Sequence, residues 1–467
     1  MKIAIIGGGV AGASSAIYLE SLGVDVTLFE KRPHLIWGPP ACHLHAGGNL
    51  YPDIDDEQRK RLLYESIEFL RFYPQAIEKR PTLLAVPIHT PIDANELENR
   101  AQLLADYYKS LVAKDNANQV LGDPNHYVLS FSQKQIEKLQ ELPTPKIPKN
   151  HIEWLIAFSK EVDLSRLKFP VLLVQEYGIN IFRLSAIAHL RLQNSKLHVN
   201  TRVTHVRKNG EKFLITYQKD GKKMQESFDF LINAAGFESG IIDNMLGFKV
   251  KRLVEFKAAY VAKWHSKYLY PEMIFHGTRG TDRGMAQFTP YAGGYYQLHG
   301  MRKDITLFED GVAASTPESS QPHLPKRFVE WIEHGWPQDV AMHRTLHAIE
   351  YLSRYLHDFK NAQATSTPLY GAQQIPGEDI SLRAAEISFE GDRYARCEIV
   401  KVSSIFSMLD AIIAKLIQLG ALAKDQQGKR DFGMLLDEKE IDNLACQIAQ
   451  KRGYPKEMAK LLVPYVS

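Results

Sequence analysis

Three features of this 467-residue chain predict an α/β fold. A strand, turn, helix, turn and strand follow one another within the first thirty residues. The first of those turns is rich in glycine. From Arg252 onward, several segments alternate or carry β-forming residues in the way of an antiparallel sheet. The expected architecture is a Rossmann-like dinucleotide-binding domain with a ββα-type elaboration, joined to a second domain built on a mixed, largely antiparallel sheet.

Lys2–Ile6 is a short apolar run. Ala11–Leu22 has helical spacing at Ala13, Ala16, Ile17 and Leu19, Gly23 ends it, and Val24–Glu30 is the second apolar run. His34–Asp55, rich in Gly, Pro and His, reads as a long functional loop. Asp56–Tyr73 and Glu96–Val112 are amphipathic helices on either side of a strand at Thr82–Ile88. Between Gly122 and Pro170 the pattern weakens, and Pro143, Pro145 and Pro148 mark a connector.

Ile181–Gln193 is helical, and Lys196–Lys208 and Lys212–Gln218 form a hairpin across Asn209-Gly210. Phe228–Asn233 is a buried-type strand that runs into Ala234-Ala235-Gly236. Arg252–Lys263, Met285–Pro290, Tyr295–Met301 and Asp304–Phe308 supply the second sheet. Lys326–His357 is helical with a break at Gly335-Trp336-Pro337. Cys397–Val402 is a strand, Ser403–Leu419 a helix, and charged helices follow Lys424. The expected division is 1–75, 171–247 and 366–425 for the dinucleotide domain, 76–170 and 248–365 for the second domain, and 426–467 for a helical tail.

The composition bounds the function. A net charge of +3 with no block of Lys and Arg gives no reason to expect nucleic acid as a partner. Cys42, Cys397 and Cys446 are odd in number and far apart, which argues against a disulfide framework, excludes a Cys-x-x-Cys redox pair and fits a reducing, cytoplasmic setting. The longest apolar stretch, Ile405–Ala423, contains Asp410 and Lys415, so no transmembrane segment is expected.

The glycine turn reads Gly7-Gly8-Gly9-Val10-Ala11-Gly12, between strand and helix, with Glu30 closing the second strand. Gly7 permits the tight turn, Gly9 lets the backbone approach a pyrophosphate, and Gly12 lets helix and strand pack closely. Unpaired N–H groups around Val10 and Ala11, at the positive end of the helix dipole, would face the phosphates. Glu30 can accept hydrogen bonds from ribose hydroxyls, Lys31 lies beside it, and an acid at this position disfavours a 2′-phosphate.

Residues 2–32 resemble the opening of the glutathione-reductase-like flavoproteins, and the remainder resembles the D-amino-acid oxidase (DAO) family within them. The segments that carry the resemblance are 41–49, Val199–Val206 with Phe228–Gly236, and Cys397–Leu419. It implies FAD, with no second Gly-x-Gly-x-x-Gly for a nicotinamide cofactor. It implies that His45, Ala46 and Gly47 pass the flavin ring, that Val203 meets the adenine side, and that Ala235 and Gly236 form the small-residue turn. The helix start at Ser403 and Ser404, with Lys401 nearby, would face flavin O2; the family's glycine-rich run is replaced here by residues 396–404. His45-Ala46-Gly47-Gly48 leaves two readings. Dimethylglycine and sarcosine dehydrogenases bond such a histidine to the flavin, whereas glycerol-3-phosphate dehydrogenases have His-Gly-Gly with free FAD. We expect the free form.

Period-two alternation sets Tyr295, Gln297 and His299 on one face of their strand. DAO-like enzymes place tyrosines and an arginine there to hold a substrate carboxylate, which makes Tyr295, His299 and Arg302 the catalytic candidates, with Arg279 and Arg283 as other possible clamps. Tyr370–Gln374 and Arg383 are expected to close the site. The activity implied is oxidation of a C–H next to an amine or hydroxyl of a small substrate by hydride transfer to flavin N5, with oxygen, a quinone or a carrier as electron acceptor. A flavin hydroxylase and a non-catalytic FAD-fold binding protein are the competing readings.

Overall fold

The computed structural model describes residues 1–38, 54–193, 195–365, 367–380, 382, 386–398, 401–430 and 435–463. Strand β1 (Lys2–Ile6), helix α1 (Val10–Ser21) and strand β2 (Asp25–Phe29) form the opening unit. β1 lies in the middle of a six-stranded sheet, parallel to β2 on one side and to Phe230–Asn233 on the other. Tyr394–Glu398 and Lys196–His198 extend it in parallel, and Glu386–Glu390 adds an antiparallel edge. Both faces of β1 are covered, as its unbroken apolar run requires. Ile3 and Ile5 pack among the helices Val10–Ser21, Asp56–Phe72, Ile181–Arg191 and Ile405–Gln418. Ala4 and Ile6 face the opposite way, onto a three-stranded meander (Arg202–Asn209, Lys212–Lys219, Lys222–Phe228) through Val206, Phe213 and Ile215. The Rossmann-like expectation holds, and the meander is its β elaboration.

Among the described residues the second sheet has ten strands and is antiparallel except where Glu272–Phe275 runs beside Thr82–Pro87. Helices His151–Glu161 and Gln338–Leu352 cover one of its faces, burying Tyr260, Met273, Phe288, Tyr296 and Leu298.

Four expectations need correction. Leu167–Val174 is a single strand of the second sheet, so no boundary falls at 171. Leu369–Pro376 pairs with Arg252–Lys263 along its length, so it belongs to that sheet rather than to the dinucleotide domain. Asp304–Phe308 is not a strand, because its carbonyls at Ile305 and Leu307 accept from the Arg344 guanidinium instead of a neighbouring strand. The region after Lys424 is no free tail. Helix Glu438–Lys451 buries Ile441, Ala445 and Ile448 in the dinucleotide-domain core, and Arg183 binds its Glu438 (2.5 Å) and Asp442.

Where the loop after β2 meets Ile181–Arg191, His189 Nε2 accepts the Leu35 N–H at 2.9 Å beside the ring of His34. Burial, and then the neighbouring His34, push the His189 imidazole down from its ordinary 6.5 to about 4. An unfolded chain takes up this proton near pH 6.5, whereas the folded chain does so only near 4. Stability therefore falls as pH drops through that window, by on the order of 2 kcal/mol at pH 5. His189→Gln, which keeps an acceptor and does not titrate, is expected to flatten the fall in urea-unfolding free energy between pH 7 and 5.

Candidate active site

One cavity of about 260 Å³ opens at the carboxyl ends of β1 and β2. Gly7 adopts φ +104°, and a Cβ there would stand 2.3 Å from the Ala234 carbonyl oxygen. A Cβ on Gly12 would stand 1.8 Å from the Gly7 oxygen, so helix and strand touch only because both residues are glycine. Gly9 differs, since a Cβ there would meet nothing within 4 Å. It is the N-cap of α1 and carries no side-chain cap, so the helix start at Val10, Ala11 and Gly12 follows directly on a residue that lines the cavity.

Glu30 ends β2 at the cavity wall. Its two carboxylate oxygens accept the N–H groups of Gly8 (2.6 Å) and Arg32 (2.7 Å), which leaves lone pairs for further donors. Burial raises its pKa, against the pull of those N–H donors and of Lys31 and Arg32. Gly7, Gly9, Glu30, Lys31, Val203, Ala235 and Gly236, expected from sequence to meet one cofactor, line this single cavity. The Lys31 ammonium is paired with Glu238 (2.6 Å) and Glu333 (2.9 Å).

Other expected residues lie elsewhere. Ser403 and Ser404 are buried but do not cap their helix, because the Ser404 hydroxyl donates to Glu65 Oε2 (2.6 Å) on helix Asp56–Phe72. His45, Ala46, Gly47 and Arg383 fall outside the described residues. Tyr370, Gly371 and Ala372 do reach the cavity. Arg452 and Tyr454 also line it. No sequence pattern signalled these two, since only the packing of Glu438–Lys451 brings them there.

Tyr295, Gln297 and His299 share a face of the second sheet, as alternation predicted. That face, with Ala259, Val261 and Tyr291, is turned toward the core of the dinucleotide domain. Gln297 is fully buried; its Oε1 accepts from the Tyr291 hydroxyl (3.3 Å), and its Nε2 has no partner among the described residues. Beside it, Gln287 and Thr289 donate to Glu272, which pairs with Arg80 at 3.0 Å. The arginine candidates are otherwise engaged. Arg302 forks onto Asp304 (2.8 and 2.7 Å) and lies over Tyr351, Arg279 binds Glu255, and Arg283 binds the His89 carbonyl. Arg302 is therefore not a free carboxylate clamp, because its planar donor edge is already matched to Asp304.

The family model described as DAO, FAD dependent oxidoreductase, matches residues 2–140. Over these residues the chain is similar to the DAO family of FAD-dependent oxidoreductases. The oxidoreductase has its fold in common with solved structures at low identity. Glycine oxidase from Geobacillus kaustophilus matches with a TM-score of 0.55 at 11% identity, covering 90% of this chain and 94% of that one. L-proline dehydrogenase from P. horikoshii gives 0.53 at 14%, covering 91% and 94%. L-amino acid deaminase from Proteus vulgaris gives 0.58 at 11%, covering 94% and 96%. No curated protein matches by sequence.

The cofactor of the oxidoreductase is FAD. The residues present fit it: open space over Gly9, an uncapped helix start and a buried acid at the end of β2 suit a pyrophosphate joined to a ribose. Among the described residues no helix is long and apolar enough to cross a membrane, and no cluster of His, Cys, Asp and Glu could hold a metal ion.

Proposed function

We propose that the oxidoreductase oxidises a C–H bond next to an amine or hydroxyl of a small substrate, with amines and amino acids the first class to test. Bound FAD supplies an electron-poor N5 that accepts hydride. The observation that carries the reading is the buried polar patch of Gln297, Thr289 and Gln287 on the sheet face turned toward the cofactor domain. Gln287 and Thr289 are satisfied by Glu272, whereas the Gln297 Nε2 is a buried donor without a partner among the described residues, and such a group calls for an acceptor on a ligand. Three structures of similar fold act, by their names, on amino acids or glycine, which supports the substrate class.

In this reading Gly7 makes the tight turn, its own N–H held by the Phe29 carbonyl, while Gly9, Val10, Ala11 and Gly12 present backbone N–H groups to the pyrophosphate and Glu30 accepts from the ribose. Lys31, Val203, Ala235 and Gly236 enclose the adenosine half. Tyr295 and His299 flank the substrate, and the Gln297 amide donates to substrate or cofactor. The flavin is held non-covalently. Ser403 and Ser404 act through the backbone of their helix start, their hydroxyls being buried or engaged. The scattered cysteines favour the cytoplasm.

The test is anaerobic. Purified yellow protein is mixed with amines, amino acids and hydroxy acids in turn, and absorbance near the flavin maximum is followed. Bleaching by a member of these classes is expected; a flavin that dithionite reduces but none of these substrates does would overturn the proposal.

A further inference from the structure

The cavity holds four cationic side chains, Lys31, Arg32, Arg202 and Arg452. Three have acidic partners: Lys31 with Glu238 and Glu333, Arg32 with Glu333 (3.3 Å) and Arg202 with Glu333 (3.8 Å). Arg452 has none among the described residues. Its NH1 donates to the Ile36 carbonyl (3.4 Å), its NH2 to the Trp37 carbonyl, and its guanidinium lies 5.0 Å from the Trp37 ring and 5.3 Å from that of Phe182. Burial lowers its pKa, and no carboxylate offsets it; only Tyr454 and Tyr370 act the other way.

The position is built, not incidental. Arg452 is the C-cap of Glu438–Lys451, its N–H returned to Ile448 and Ala449, and Gly453 follows at φ +81°. That turn sends Tyr454 to the cavity as well, its hydroxyl fixed to the Pro368 carbonyl (2.7 Å). The Arg183 ion pairs and the buried Ile441, Ala445 and Ile448 hold the helix in place. A buried cation without an anion is unfavourable unless a ligand completes it.

We propose that Arg452, delivered by the carboxy-terminal helix, is the charge partner of the FAD pyrophosphate, so that residues 438–454 form part of the cofactor site. The inference rests on FAD as cofactor and not on the substrate proposed above, so it is tested by binding alone.

Arg452→Met keeps an unbranched apolar stem and removes the guanidinium, and Arg452→Lys keeps the charge. FAD release from each purified holoenzyme is followed by the rise in flavin fluorescence on dilution. Melting temperature is measured with and without excess FAD. Arg452→Met is expected to weaken FAD roughly 10- to 100-fold, the range for a lost hydrogen bond to a charged group. Its dissociation constant should also depend less on KCl concentration than that of wild type, and Arg452→Lys should recover part of the affinity. Excess FAD should close the gap in melting temperature, as linkage requires. Unchanged FAD affinity would overturn the proposal, including the case where only the KM of a reducing substrate rises. So would a melting deficit that excess FAD leaves in place, because that marks a packing role under the Ile36–Trp37 loop.

Discussion

Gly9→Ala is expected to purify nearly colourless while folding as the wild type does. The backbone at Gly9 is at φ −65°, ψ −173°, a conformation open to any residue. An added Cβ meets no atom of the described residues within 4 Å. The methyl group therefore burdens no packing, and what it occupies is the space over the uncapped start of α1. A pyrophosphate kept from close approach loses charge-assisted bonds to backbone N–H groups, each worth about 1.5–3 kcal/mol. Two such bonds correspond to on the order of 100-fold or more in FAD affinity. Gly12→Ala is the contrasting variant. Its Cβ would lie 1.8 Å from the Gly7 oxygen, so β1 and α1 must separate and folding itself fails. The measurements are flavin content per chain, FAD titration and far-UV circular dichroism. A Gly9→Ala protein that is folded and binds FAD as tightly as wild type would move the pyrophosphate away from this helix start.

The contrast between these glycines explains why one half of the site was readable and the other was not. β1, the turn, α1, β2 and Glu30 lie within thirty residues, and each glycine's role is fixed by its immediate neighbours, so spacing alone carried the information. Val203 and the Ala235-Gly236 turn required family resemblance, because their closeness to Gly7 comes from strand order. The face shared by Tyr295, Gln297 and His299 followed from alternation, which is local. What that face meets depends on how two sheets pack, and Arg302 shows the consequence. Its sequence position suits a carboxylate clamp, but Asp304, two residues on, satisfies the guanidinium first. Ser404 has the residue type of a cap and instead answers the buried Glu65, 339 positions earlier in the chain. Leu369–Pro376 and Leu167–Val174 carry no strand reading in the sequence, and their place in the second sheet comes from the strands they pair with there. Arg452 had no local mark at all. A charged, amphipathic helix near the chain end looks like a solvated tail until Arg183 and the buried apolar face of that helix are seen together.

Asp243→Asn is expected to destabilise the protein by roughly 3–5 kcal/mol, the range for breaking a buried ion pair from one side. Asp243 is fully buried where the two sheets meet behind the Ala234-Ala235-Gly236 turn. Its Oδ2 takes Arg252 NH2 (2.5 Å) from the first residue of Arg252–Lys263, in the second sheet. Its Oδ1 takes Arg396 Nε (2.8 Å) and the Tyr394 hydroxyl (2.7 Å) from Tyr394–Glu398, in the first sheet. Tyr394 in turn accepts from Asn233, whose Oδ1 receives the Ala235 N–H (3.2 Å) at the cavity wall. The network sets two buried cations, Arg252 and Arg396, against two buried acids, Asp243 and Glu398, and a third, partly exposed one, Glu390; Glu398 lies 3.4 Å from Arg252 and Glu390 3.6 Å from Arg396. Neutralising Asp243 leaves the two guanidinium groups with Glu398, whose own pKa is already raised by burial, and with the more distant, solvent-screened Glu390. The excess charge, rather than the lost hydrogen bonds, is then the larger part of the loss. Urea unfolding separates these contributions. Asp243→Asn with Arg396→Met restores charge balance, so the double variant should lose distinctly less stability than the sum of the single variants. Strict additivity would mean that charge balance is not what Asp243 provides. Because the network reaches Ala235 through Asn233, Asp243→Asn should also weaken FAD retention, whereas Gly9→Ala lowers retention with no change in the unfolding of the FAD-free chain.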